Sequence, residues 1–165
     1  MANEKVESKL IRYIEDAHTM EENVARMLDS MIVSTDDSRI EKVLRDHRKV
    51  TERHADALKD RLKAHGKSPS VTKTAATLPG TLVKGVTDQL RGDKPLMNAR
   101  DAYTTEHLEI AVYEVLERIA SRAGDRTTVA VARRNRRDEE AMSKRIESLW
   151  DRFFELTLKA EGIAA

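Results

Sequence analysis

The chain has no cysteine, three prolines and six glycines among its 165 residues. Without cysteine, disulfides and thiolate metal sites are excluded, and a cytoplasmic location is expected. No apolar run approaches the roughly 18 residues of a membrane span, and the N-terminal MANEKVESK has no apolar signal-peptide core. The net charge of +1 provides no general attraction to nucleic acid or anionic lipid. We therefore expect neither a membrane nor a nucleic-acid partner.

Charged residues make up 36% of the sequence and apolar residues 39%, which is typical of a folded, strongly solvated helical protein. All three prolines and four of the six glycines lie within residues 66–95, so this stretch is predicted to be a connection. Helical periodicity on either side predicts one hairpin over residues 6–64 and another over residues 95–159. The length favours a single domain over residues 1–165.

Two helical hairpins joined by one long crossover are typical of the ferritin-like four-helix bundle, an all-α fold. The crossover between helices 2 and 3 has an apolar pattern of its own, formed by Leu82, Val83, Val86 and Leu90. This pattern predicts a short fifth helix lying across the bundle.

Six polar residues fall within the apolar stripes of the predicted helices, when residues are placed about 100° apart around each helix. Burying carboxylates is costly unless a partner stabilises them. Each group lies about 15 residues from its turn, so all six are predicted at one level to within a turn or two. They are Glu21 on helix 1, His47 and His54 on helix 2, Glu106 and Glu109 on helix 3, and Glu139 on helix 4.

Four glutamates and two histidines are the ligand inventory of di-iron and di-manganese bundles, in which carboxylates bridge hard cations and imidazoles occupy terminal positions. The spacing departs from the usual Glu-x-x-His, because helix 2 has Thr51-x-x-His54 and helix 4 has Glu139-x-x-Met142. His47 is two helical turns, about 10 Å, from His54, so one ion is not expected to bind both. The sequence therefore predicts a site for one or two iron or manganese ions, formed by the six residues above.

The same side chains could instead form a buried hydrogen-bond network with Arg136, Tyr13 and Tyr113, which would fix the register of the bundle. The run RRNRR at residues 133–137 is interpreted as a solvated helix face, since few aromatic residues accompany it.

Four segments resemble the bacterial ferritin-like family of unknown function that includes the YciE and YciF stress proteins. The resemblance covers most of the chain. The segments are DAHTMEENVARML, DHRKVTERHADALKDRLKAHGKSPS, RGDKPLMNARDAYTTEHLEIAVYEVLERIA and RRNRRDEEAMSKRI.

The resemblance implies a ferritin-like bundle, usually dimeric, that is linked to stress responses and is suspected of holding two iron ions. It places Glu21, Glu106 and either Glu139 or Glu140 at ligand positions. The Glu-Glu-Thr-like run of the family is replaced by Lys49, Val50 and Thr51, so the carboxylate expected on helix 2 is missing.

Two functions follow from these observations. The first is a metal-binding stress protein that oxidises Fe(II) with O2 or peroxide. The alternative is a metal-free structural or partner-binding stress protein with a buried Glu/His network.

Overall fold

The computed structural model describes residues 2–69 and 94–163, and all regular secondary structure in these two ranges is helical. Numbered in chain order, the helices are α1 (Ala2–Val33), α2 (Ser38–Ala64), α3 (Lys94–Ala123), α4 (Arg126–Glu147) and α5 (Trp150–Ala160). The short helix predicted within the crossover lies outside the described residues. None of the described helices has an apolar stretch long enough to cross a membrane.

The helix ends next to the short connections have identifiable caps. The carboxylate of Asp37 accepts two backbone hydrogen bonds from the first turn of α2. Asp125 caps α4 in the same way by accepting from the N–H of Thr128. Gly66 follows the end of α2 with φ +69°, a conformation that glycine adopts without steric cost.

Contacts between helices establish their relative directions. Arg61, near the end of α2, donates a hydrogen bond to Thr128 at the start of α4, so these two helices run antiparallel. Asn98, near the start of α3, donates to Ser34 after the end of α1, so this pair is antiparallel as well. The end of α2 and the start of α3 therefore lie at opposite ends of the bundle, as expected for hairpins joined by a long crossover.

The core follows the predicted stripes of α1, α2 and α3, all of whose members are buried. Their apolar side chains interlock above and below a polar layer at mid-bundle. The apolar members of these stripes are Leu10, Ile14, Ala17, Val24, Leu28, Met31, Ile40, Val43, Leu58, Leu62, Ala99, Ala102, Tyr113, Leu116 and Ala120.

The predicted fourth helix is not continuous. It is interrupted after Glu147, where the N–H of Leu149 bonds to the carbonyl of Ile146 instead of the residue one helical turn back. The hydroxyl of Ser148 donates to the Arg145 carbonyl, a bond that competes with the helical ladder and bends helices. The interruption shifts the inward face, so that Leu149 is buried, while Trp150, which a continuous helix would turn inward three turns after Glu139, is only half-buried.

Candidate metal centre

The six polar residues predicted to converge do lie together at the middle of the bundle. Each is at most 5% exposed to solvent, and the four glutamates are completely buried. All four long helices contribute, because each has a polar residue inside an otherwise apolar stripe. The residues are Glu21 on α1, His47 and His54 on α2, Glu106 and Glu109 on α3, and Glu139 on α4. Their role as metal ligands stays a prediction.

The cluster divides into two groups that share one carboxylate. His47, Glu106, Glu109 and Glu139 present ligand atoms within 4.8 Å of one another. The second group consists of Glu21, His54 and Glu139, whose ligand atoms also lie within 4.8 Å of one another. The two histidines thus belong to different groups, in agreement with their separation along α2.

Short distances join the imidazoles to the carboxylates. Nε2 of His47 lies 3.2 Å from Oε1 of Glu106 and 3.4 Å from Oε2 of Glu139. Nδ1 of His54 lies 2.7 Å from Oε1 of Glu139 and 3.4 Å from Oε1 of Glu21. None of these contacts has the direction of a hydrogen bond, although all are close enough for the atoms to surround a common ion.

A chain of hydrogen bonds supports one edge of the cluster. The hydroxyl of Tyr113 donates to Oε1 of Glu21, and the amide of Asn135 donates to the same hydroxyl oxygen at 3.0 Å. Tyr113 and Asn135 are both completely buried. This chain holds Glu21 in place and leaves its Oε2 directed at no hydrogen-bond donor.

Most of the buried oxygens in the cluster have no hydrogen-bond donor. Among the described residues, seven of the eight carboxylate oxygens of the four glutamates have no hydrogen-bond partner, and only Oε1 of Glu21 has one. Buried polar atoms are nearly always hydrogen-bonded in folded proteins, so orphaned atoms gathered at one point require an explanation. A bound cation supplies one, because it coordinates carboxylate oxygens without any donor hydrogen.

Burial and mutual repulsion raise the pKa values of Glu21, Glu106 and Glu109. Burial raises the pKa of Glu106 to about 8, although the nearby His47 opposes the shift. Burial also raises the pKa of Glu109 well above its ordinary value, with further contributions from Glu139, Glu21 and Glu106. Burial raises the pKa of Glu21 as well. The cluster therefore favours either protons or cations at these oxygens.

The pKa values of both histidines are raised, whereas burial without a charged partner lowers the pKa of a histidine. Burial by itself lowers the pKa of His54, but the close carboxylates of Glu139 and Glu21 reverse this effect and raise it to about 10. Burial also lowers the pKa of His47, but the charge of Glu106 outweighs this effect and raises the pKa above its ordinary value. A metal ion must displace the protons of both rings, so binding is expected to strengthen as pH rises.

Asp138 was missed by the reasoning from sequence. Its Oδ2 lies 3.0 Å from Nε2 of His54, while its side chain is 43% exposed. A carboxylate that accepts the Nε2 hydrogen leaves Nδ1 of His54 facing Glu21 and Glu139, which fixes the tautomer that an ion at that position needs. The only signal in the sequence was its place beside Glu139, and exposed acids on helices are common.

Several expectations about the surroundings of the cluster were wrong. Arg136 does not join a buried network; its guanidinium pairs with Glu114 and Glu117 at the α3–α4 surface. Tyr13 packs against the hydrophobic core instead. Tyr113 is the one predicted network partner that contacts the cluster. His18 is also buried on α1, yet neither ligand group includes it.

The donor set fits a hard or borderline divalent cation. Carboxylate oxygens and imidazole nitrogens suit iron and manganese, and no softer donor is present among the grouped residues. Thr51 occupies the position where a helix 2 carboxylate was expected; it is also completely buried, and its hydroxyl has no hydrogen-bond partner among the described residues. The arrangement is therefore compatible with one ion in each group, with Glu139 common to both.

Comparison with known proteins places these features in a family. A family model described as a domain of unknown function, DUF892, matches residues 5–159. No curated protein matches the sequence.

Solved structures of the same fold cover nearly the whole chain. The Escherichia coli stress protein YciF is 17% identical, with a TM-score of 0.79 over 91% of this chain and 97% of its own. The protein XCC3681 from Xanthomonas campestris is 18% identical, with a TM-score of 0.78 over 95% and 99%. Bacterioferritin from Desulfovibrio desulfuricans, described with its diiron site, is 20% identical, with a TM-score of 0.75 over 98% and 90%. These likenesses confirm the predicted ferritin-like fold.

Proposed function

For this chain, which belongs to the DUF892 family of ferritin-like proteins, we propose a metal-binding function at the mid-bundle cluster. Iron and manganese are the proposed ions. The observation that carries the proposal is the set of seven buried carboxylate oxygens that receive no well-directed hydrogen bond from the described residues, although histidine nitrogens lie within 3.4 Å of three of them. A hydrogen-bond network would supply donors to these atoms, whereas a cation makes them unnecessary.

Charge balance supports the same proposal. Four completely buried glutamates meet two histidines, so the fully ionised carboxylates exceed the imidazolium charges. Two divalent cations would neutralise four carboxylates with the imidazoles as neutral ligands. Removing the ions leaves the site to take up protons instead, in line with the raised pKa values of Glu106 and Glu109.

The geometry divides the roles of the residues. Glu106, Glu109 and His47 would hold one ion, while Glu21 and His54 would hold the other. Glu139 belongs to both groups and would bridge the two ions. Asp138 would keep Nδ1 of His54 free for coordination by accepting the hydrogen of Nε2.

The proposed activity is the oxidation of Fe(II) by O2 or peroxide, which would limit oxidative damage under stress. Bound iron or manganese would supply the one-electron chemistry that side chains lack. The protein would contribute a buried site in which the glutamates hold the ions and Tyr113 orients Glu21. The diiron site of the D. desulfuricans bacterioferritin and the stress role of YciF support this choice within a shared fold.

The decisive experiment is a metal count after anaerobic loading with Fe(II) or Mn(II) and desalting, read by mass spectrometry. We expect one or two ions per chain in the wild type. Glu139→Gln should lose the most, since its carboxylate belongs to both groups, and Glu106→Gln should lose the ion of its own group. Glu140→Gln is the matched control, because this half-buried neighbour belongs to neither group. Equal metal content in all four proteins would reject the site.

A metal-free structural role is the second candidate. The hydrogen bonds from Asn135 to Tyr113 and from Tyr113 to Glu21 favour it, since they form the beginning of a buried network. Thr51 also stands where a carboxylate ligand was expected. In that case the melting temperature would depend on pH and not on added metal, whereas ions that bind only the folded state raise it.

We further propose that the protein is a homodimer, as the family resemblance implies, and that it is located in the cytoplasm, as expected for a chain without cysteine. Light scattering coupled to gel filtration should then give twice the chain mass of 18.7 kDa. A mass equal to one chain at micromolar concentration would contradict the dimer.

A further inference from the structure

A groove of about 310 Å³ separates α2 from α4 on one side of the cluster. Each helix lines it with a single face, because the lining residues repeat at intervals of three and four along both. They include Val43, Asp46, His47 and Val50 on α2, and Asp138, Ala141, Met142 and Arg145 on α4. Among the described helices, α2 packs much less closely on α4 than on α1, which leaves room for the groove.

The inner end of the groove reaches the ligand cluster. His47 lines the groove, yet its Nε2 lies within 3.4 Å of both Glu106 and Glu139. The His47 ring is therefore the layer between solvent and the carboxylate oxygens. Ala141 is exposed and small, so the path to this ring is not filled by a long side chain from its position.

The rim of the groove contains a carboxylate that links solvent to the cluster. Asp138 is 43% exposed on one side and contacts His54 on the other. The second carboxylate at the rim, Asp46, forms an ion pair with Lys42, with Oδ2 2.5 Å from Nζ. Its negative charge therefore attracts an approaching cation less strongly. Arg145 places a positive charge along the same groove.

We propose that this groove is the route by which divalent cations reach the buried cluster, passing Asp138 at the rim and His47 at the inner end. The proposal rests on the metal-binding function proposed above and identifies its access route. A cation moving through the groove passes charged side chains that are not among its final ligands. Its rate of arrival therefore depends on those charges, while the final occupancy does not.

Arg145 and Ala141 allow a test that leaves the ligands intact. Arg145→Glu replaces a repelling charge by an attracting one and should speed cation loading about three- to ten-fold at low salt. The difference should shrink as the ionic strength rises, because salt screens exposed charges. Ala141→Trp should slow loading about ten-fold by filling the groove, with the charge unchanged.

Two control variants match these changes outside the groove. Arg122→Glu makes the same charge reversal at an exposed arginine in the last turn of α3. Ala130→Trp makes the same size change at an exposed alanine on α4, three turns before Ala141. Both control proteins should load at the wild-type rate.

The measurement is anaerobic stopped-flow mixing with Co(II), followed by its visible absorption, together with the final metal content by mass spectrometry. Opposite rate changes in the two groove variants, with unchanged final content, would support the route. Wild-type rates in both variants would overturn it while leaving the metal site standing. A loading rate that changes only in Arg145→Glu would also overturn it, because cations that pass through the groove would be obstructed by the tryptophan of Ala141→Trp. No bound ion in the wild type would overturn the site and the route together.

Discussion

Replacing Glu106 by glutamine should remove a measurable part of the pH dependence of stability in the metal-free protein. The pKa of Glu106 is 4.5 as a reference value and about 8 in the folded protein, because the side chain is buried. Between these two values, the folded protein keeps a proton on Glu106 that the unfolded chain has released. The folded state is therefore favoured at low pH, and its stability falls as pH rises through this window.

The size of the effect follows from the two pKa values. Each pH unit between them changes the free energy of unfolding by at most about 1.4 kcal/mol, so pH 5 to pH 8 gives a ceiling on the order of 4 kcal/mol. The histidines change stability in the same direction. Because the pKa of His54 is raised to about 10, its contribution is fully present below pH 6.5 and is lost as pH approaches 10. Glutamine at position 106 cannot ionise, and it also removes the charge that raises the pKa of His47.

Urea unfolding in a metal chelator at several values between pH 5 and pH 8 measures this slope. The wild type should lose stability steadily as pH rises, and Glu106→Gln should show a flatter dependence, in which the contributions of Glu21, Glu109 and His54 remain. Glu22→Gln, an exposed site on α1, should keep the wild-type slope. A Glu106→Gln protein with the same slope as the wild type would show that Glu106 is not the protonated group in the cluster.

Two further predictions concern the frame around the cluster. Asp37→Ala removes the cap of α2 and the contacts of Asp37 with Arg152 on α5, so urea unfolding should report a loss of about 1–2 kcal/mol. A loss below about 0.3 kcal/mol would contradict the role of this cap. Tyr113→Phe leaves Glu21 without its hydrogen-bond donor and should lower the unfolding free energy of the metal-free protein by about 1–3 kcal/mol. An unchanged midpoint would mean that the buried bond is not formed in solution.

Periodicity was sufficient to predict the inward faces of α1, α2 and α3, because one apolar stripe per helix determines which side is buried. It failed at the end of α4, where Ser148 bonds to Arg145 and the helix is interrupted before Trp150. Such a local bond does not alter the spacing of apolar residues in the sequence, so periodicity cannot reveal it. The inward position of Leu149 is therefore visible only once the break is known.

The convergence of the candidate ligands could also be predicted, since equal distances from two turns place residues at one depth. Contacts around the cluster could not. Asp138 reaches His54 across 84 positions of sequence, and Arg136 turns to Glu114 at the surface although it lies one turn from Glu139. Both outcomes depend on the rotation of α4 against its neighbours. Periodicity fixes such rotations only to within the width of a stripe.

Thr51 is the position where the chain departs most clearly from a complete two-metal ligand set. Its side chain is completely buried, and Oγ1 has no hydrogen-bond partner in the part of the chain that the structure describes. Threonine is close in size to aspartate and to valine, so substitutions here can change the chemistry with little change in volume. A pair of such variants separates a position that faces the ions from one that only fills space.

Thr51→Asp should destabilise the metal-free protein by about 1–3 kcal/mol, because it buries a further carboxyl group without a donor. Saturation with Mn(II) should recover most of this loss, since the new carboxylate would become a ligand on the helix that lacks one. The rise in melting temperature on metal addition should therefore be larger in Thr51→Asp than in the wild type. Thr51→Val, which removes an oxygen that has no partner, should leave both melting temperatures nearly unchanged. If Thr51→Asp is destabilised equally with and without metal, position 51 does not face the ions, and the second group must hold its ion through Glu21, His54 and Glu139 alone.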